Sequence, residues 1–316
     1  MSNLTSSTSE FLLLEFSTVR ELQILHFFVF LAFYLTTLMG NLFIIIAIIL
    51  DYHLHSPMYF FLMNLAISDL GNISVTVPKS MLNSLMNSRL ISYSECVAQV
   101  FLFFFFIASD FALLTIMAHD RHVAICNPLQ YEAIMNNGAC IQMVVIAWII
   151  SLLYAMLHTG GTFSMTFCSN NVDQFFCEIP RLLKLSCSDL YLVELGLIMF
   201  SSAAGFGCFL YIIGTYVKIF TAVHRIPSVH GRQKALSTCL PHLVVVSVFM
   251  FSSLFVYARP PSHNASDMDL VFAVIYTVLP PMLNPVIYSM RNKEIQTALC
   301  KLLKLKHVSK TISRFF

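Results

Sequence analysis

Two carboxylates, Asp69 and Asp110, stand in apolar stretches where a charge is costly. At bilayer depth each costs at least ~2.5–3.5 kcal/mol, so such groups turn inward and find partners. Asn41 and Asn284, in equally apolar stretches, are the expected partners. Together the four make a polar core that could hydrogen-bond within itself, share a proton, or hold a cation such as sodium. Asp120-Arg121 ends another apolar run. Adjacent charges at a helix end are either a solvated pair or a switch in which Arg121 is held in one state and released to a partner in another. The flanking His119 and His122 read as interfacial histidines rather than pH sensors. Pro285 follows Asn284, with Pro280 and Pro281 just before it. A proline bends its helix and frees a backbone carbonyl, which Asn284 can satisfy locally.

Composition sets what must position these groups. Of 316 residues, 58% are hydrophobic and 11% charged, against about 25% charged in a typical soluble domain. The 29 Phe and 12 Tyr exclude a disordered chain. The apolar excess gathers in seven runs, at 24–50, 58–78, 97–117, 140–157, 192–220, 239–256 and 270–288. Each reaches, or nearly reaches, the ~20 residues a helix needs to cross hydrocarbon. The expected architecture is an all-α membrane protein, a seven-transmembrane helix bundle. It divides into a free tail at 1–23, the bundle at 24–290 and a second tail at 291–316. The first 22 residues lack a signal-peptide pattern, so the first span is expected to act as the targeting signal.

An odd number of spans puts the termini on opposite sides. Twelve of the 18 Lys and Arg, from Arg121 to Arg314, fall on one side, and six on the other. The basic excess marks the cytoplasmic side, so the N-terminus is expected outside and the C-terminus inside. Cys96, Cys168, Cys177 and Cys187 then all lie outside, enough for two disulfides in any of three pairings. The other five cysteines read as small buried or interfacial thiols. Asn3, in Asn3-Leu4-Thr5, is the expected glycosylation site, with Asn264 less favoured and Asn72, inside a span, discounted. Beyond Asn292, Ile295, Leu299, Leu302 and Leu303 share one helical face among lysines, an amphipathic helix expected to lie on the inner leaflet.

No HExxH, GxSxG, GxGxxG or P-loop is present, and no metal-ligand or nucleic-acid-binding pattern stands out, so neither an enzyme nor a cofactor is expected. A transporter is the main rival, although it would carry repeated halves, and no internal repeat is visible. Six stretches in order decide the matter. They are Gly40-Asn41; Pro57-Met58-Tyr59-Phe60-Phe61-Leu62; Leu65-Ala66-Ile67-Ser68-Asp69; Met117-Ala118-His119-Asp120-Arg121-His122-Val123-Ala124-Ile125-Cys126; Lys234-Ala235-Leu236-Ser237-Thr238-Cys239-Leu240-Pro241-His242; and Pro281-Met282-Leu283-Asn284-Pro285-Val286-Ile287-Tyr288. The chain resembles a vertebrate olfactory receptor of the tetrapod type, a rhodopsin-like G-protein-coupled receptor, over nearly its whole length. Family 14 is the narrower match.

The resemblance implies roles. Cys96 would bridge to Cys177, leaving Cys168 with Cys187. Arg121 would engage the G protein, Asn284, Pro285 and Tyr288 would belong to the activation switch, and Lys234, His242 and Tyr216 would support that face. Asp69 and Asp110 match the family's acidic core positions, the second more often Glu. His122 replaces the family's usual Tyr, Thr215-Tyr216 its Ser-Tyr, and Phe249-Met250-Phe251 its Phe-Tyr-Gly. The ligand site would lie in the outer half, between spans three, five, six and seven. By motif offset its lining would be Phe103, Phe104, Ile107, Ala108, Phe200, Ala204, Met250, Ser253, Leu254, Tyr257 and Thr277. That set carries no charge, so a small, neutral, volatile ligand is expected, such as an alcohol, ketone, ester or terpenoid. The implied partner is the olfactory stimulatory G protein, raising cyclic AMP, in the plasma membrane of olfactory neuron cilia. A chemosensory receptor used outside the nose is the alternative within the family.

Overall fold

The computed structural model describes residues 10–188, 190–224, 228–258, 267–291, 294–298 and 300. Seven helices in it are long and apolar enough to cross a membrane. They are span one (Arg20–Leu50), span two (Pro57–Met86), span three (Tyr93–Cys126), span four (Asn137–Phe163), span five (Tyr191–His224), span six (Val229–Ala258) and span seven (Asp267–Arg291). Every one outruns its apolar stretch, because helix ends continue until a cap stops them. Span three starts at a capping box, in which Ser92 accepts from the Glu95 N–H and Glu95 accepts from the Ser92 N–H. Span two starts with Pro57 in its first turn and stops at Asn87, whose φ of 50° is left-handed.

Spans one and seven approach closely because Gly40 has no side chain: a Cβ there would lie 2.9 Å from the Pro285 ring. The carbonyl that Pro285 leaves without a helical donor is that of Pro281, and it accepts from Asn41 Nδ2 at 3.1 Å. The expected local remedy by Asn284 is thus replaced by one from span one; the Asn284 amide is used elsewhere.

The N-terminal segment is not free throughout. Strand β1 (Glu10–Leu13) is the centre of a three-stranded sheet, antiparallel to β2 (Leu90–Ser92) and parallel to β3 (Asn171–Val172). Phe11 and Leu13 alternate onto the buried face, and the Phe11 ring meets Phe167 edge-on at 5.5 Å. Beneath the sheet lies one apolar cluster, including Phe11, Phe103, Phe176 and Tyr276. A second, around Leu65, Leu114, Ile212 and Tyr216, fills the opposite end. Residues 294–298 are helical, and Ile295 and Ala298 pack into this second cluster. Leu299, Leu302 and Leu303 of the expected amphipathic face lie outside the described residues, as does Asn3.

Candidate functional site

Two disulfides mark one end of the bundle. Cys96 at the start of span three bonds Cys177, and Cys168 bonds Cys187, with Cα separations of 5.6 and 5.8 Å. These are the pairs the resemblance implies, out of the three pairings that counting alone leaves open.

Midway along the bundle lies the polar core. Asn284 Nδ2 donates to both Asp69 oxygens, at 3.1 and 3.0 Å. Asn72, set aside above as an unusable sequon, donates to Asp110 Oδ2 at 3.4 Å. The Oδ1 atoms of Asn41, Asn72, Asp110 and Asn284 are buried without a hydrogen-bond partner. Unsatisfied amide and carboxylate oxygens are the kind of donor that suits a hard cation.

At the end away from the disulfides, Asp120 and Arg121 are not an ion pair among the described residues. Asp120 instead accepts from the Tyr131 hydroxyl at 2.8 Å, in a short helix, Tyr131–Ile134, that follows span three. Burial and the neighbouring Asp120 charge hold the Tyr131 phenol above its ordinary pKa, so it remains a donor. Buried Arg121 donates through Nη1 to Tyr216 at 3.1 Å, and the Tyr216 hydroxyl meets His242 Nδ1 at 2.8 Å. The guanidinium lies 5.7 Å from the Tyr288 ring centroid. One side chain of span three therefore joins spans five, six and seven. The Lys234 side chain lies outside the described residues.

Toward the disulfides the expected ligand lining divides. Phe103 and Phe104 are buried, with Phe103 5.2 Å from Phe176 and 6.0 Å from Tyr276. Ile107, Ala108, Met250 and Ser253 are partly buried, and Ser253 Oγ is shielded and without a partner. Thr277 is buried, its hydroxyl donating to Ala273 O at 2.6 Å. Phe200, at 75% exposed, faces outward, as do Ala204 and Leu254. The Tyr257 side chain lies outside the described residues. The correction on span five is rotational. Its inward stripe runs Glu194, Ile198, Ser201, Gly205, Phe209, Ile212 and Tyr216, steps of three or four from Tyr216; Phe200 stands one residue, about 100°, off it.

Residues 30–306 match the olfactory receptor family. Olfactory receptor 14C36 of Homo sapiens is 50% identical over 301 residues, covering 95% of this chain and 96% of that protein. Olfactory receptor 14A16 of Homo sapiens is 49% identical over 311 residues, covering 98% and 100%. Olfactory receptor 14I1 of Homo sapiens is 51% identical over 303 residues, covering 96% and 97%. The chain belongs to the olfactory receptor family. The family 14 designation of these relatives is the narrower group to which the motifs pointed.

Sequence reading missed two groups of this olfactory receptor. Glu178, next to the bridged Cys177, is fully buried and accepts from Gln174 Nε2 at 3.3 Å and from the Tyr276 hydroxyl of span seven. His158 Nδ1 in span four lies 2.6 Å from Glu194 Oε1, and its Nε2 lies 2.9 Å from Ser201 Oγ. The expected lining itself carries no charge, but two carboxyl groups outside it, Glu178 and Glu194, are buried at the disulfide end of the bundle. The signal was available, since Glu194 is an acid inside an apolar run and lies on the stripe that Tyr216 defines.

Proposed function

We propose that this olfactory receptor binds a small, neutral, volatile molecule in the half of the bundle nearest the disulfides and activates a stimulatory heterotrimeric G protein from the other end, raising cyclic AMP. The observation that carries this is the Arg121 junction. A guanidinium bonded to span five, beside span seven, and linked through Tyr216 to span six cannot reach a partner until those spans part. Ligand contacts that favour one arrangement of spans three, five, six and seven shift the population toward the parted state. Phe103, Phe104, Ile107, Ala108, Met250, Ser253 and Thr277 are the lining this reading keeps, with Tyr257 carried by family resemblance. Lys234 would stand on the G-protein face. Asp69 and Asp110 would hold a sodium ion, whose charge, when bound, offsets theirs. The receptor performs no covalent chemistry.

The disulfide end faces outside, with Asn3 glycosylated, and the C-terminal helix lies on the inner leaflet. The multi-pass chain resides in the plasma membrane of olfactory cilia. The test is an odorant panel on cells carrying a cyclic AMP reporter and either the receptor or its Arg121→Ala variant. The receptor is expected to respond and the variant to be silent at equal surface density. An Arg121→Ala response equal to that of the parent overturns the coupling role.

A further inference from the structure

The turn 158–162 of span four carries a set of polar atoms that helix packing does not explain. His158 and Glu194 are joined at 2.6 Å and are almost fully buried. Glu194 Oε1 is used by His158, while Oε2 is buried with no partner. The hydroxyls of Thr159 and Thr162 are buried without partners too. Elsewhere the helical hydroxyls of Thr37, Thr76, Ser109, Thr115, Ser151 and Thr277 all bond the carbonyl four residues back. Thr159 and Thr162 make no such bond. Between them, Gly161 leaves the space into which Oε2 is packed; a Cβ there would collide with it. Buried polar atoms of this kind are met by something.

We propose that this turn, with Glu194, is a subsite for the hydroxyl group of an alcohol or phenol. The proposal deepens the odorant-receptor reading and rests on it. His158 already occupies one oxygen of the Glu194 carboxyl group, so a single buried oxygen is left over, which suits one small hydrogen-bond donor. The Thr162 hydroxyl, four residues on from His158 and so on the same helix face, can accept as well as donate and offers a second partner for one O–H. The wall beside it is aromatic and suits a hydrocarbon body. The Tyr154 ring stands 4.5 Å from His158, and Phe104, already in the ligand lining, stands 5.6 Å from it. Half-buried Ser201 connects the cluster to the inward stripe of span five. The order Ser201–His158–Glu194 is also that of a hydrolytic relay. Ser201 is mid-helix, however, where backbone N–H groups serve the helix and none is left to hold an oxyanion.

The experiment uses linear, branched, terpenoid and phenolic alcohols, each paired with its methyl ether, which keeps the oxygen and loses the donor. Potency is read by cyclic AMP at matched surface density. The parent is expected to prefer the alcohol, and Glu194→Gln to erase or invert that preference by roughly 5- to 150-fold. Thr162→Val, nearly isosteric, is expected to act in the same direction and decides the matter if Glu194→Gln fails to reach the surface. An alcohol-to-ether ratio unchanged in these variants means a buried water only, and overturns the subsite. If no panel member raises cyclic AMP, the signalling reading fails separately. The subsite is then judged by ligand-induced thermal shift of the purified full chain with the same pairs, where equal shifts for alcohol and ether overturn it.

Discussion

Pro285 has no N–H to give, and the carbonyl it deprives is served from another helix, by Asn41. Removing the donor leaves a buried carbonyl unpaired, at about 1–3 kcal/mol. Asn41→Leu is therefore expected to lower the unfolding midpoint of the purified receptor, and an unchanged midpoint would remove this role. The sequence made both asparagines visible as polar residues in apolar runs but could not divide the work between them. Asn284 is adjacent to Pro285 and was the economical choice. In the fold Asn284 faces Asp69, and only the Gly40 contact brings Asn41 within reach. Partner choice among polar groups is a tertiary property. That a partner would exist was legible, because an unpaired amide or carboxylate at bilayer depth is too costly to leave.

At the scale of elements, legibility followed length. Each span is announced by some twenty apolar residues, and all seven are present. Strand β1 is four residues long and borrows both its neighbours from distant loops, so nothing in its own composition foretells it. Its consequence is that the disulfide end is one packed unit. Phe11 and Leu13 share a cluster with Cys96, Cys177 and Phe176. Losing a native disulfide costs about 2–5 kcal/mol, and here it also loosens the floor on which the sheet rests. Cys96→Ala is expected to abolish surface staining in transfected cells. Phe11→Asp, which buries a charge against Phe167 and Tyr93, is expected to do the same with both disulfides intact. Normal staining of Phe11→Asp would show that the sheet is dispensable.

Across the whole molecule, polar groups of opposite character stand at two sides of an apolar lining. Glu194, at the junction of spans four and five, has a carboxylate oxygen in need of a donor; Ser253, on span six, has a shielded hydroxyl with a proton to give. Thr277 is different, because its hydroxyl is already spent on its own helix at 2.6 Å. The family resemblance and motif offsets put Ser253 and Thr277 on equal footing; the hydrogen-bond inventory separates them. Ligands that only accept, such as ketones and esters, are therefore matched to Ser253. For such an agonist Ser253→Ala removes the partner of a buried oxygen, about 1–3 kcal/mol, or roughly 5- to 150-fold in potency. Thr277→Val removes a hydroxyl that the ligand does not use, and its effect on the same agonist is expected to stay within about two-fold, since no ligand oxygen is left unpaired. A hydrocarbon of the same outline has no oxygen to leave unpaired and should respond alike to the parent and both variants. Potency is measured by cyclic AMP with surface density held equal. If a ketone loses more potency to Thr277→Val than to Ser253→Ala, the carbonyl points toward span seven rather than span six, and the lining has to be turned accordingly.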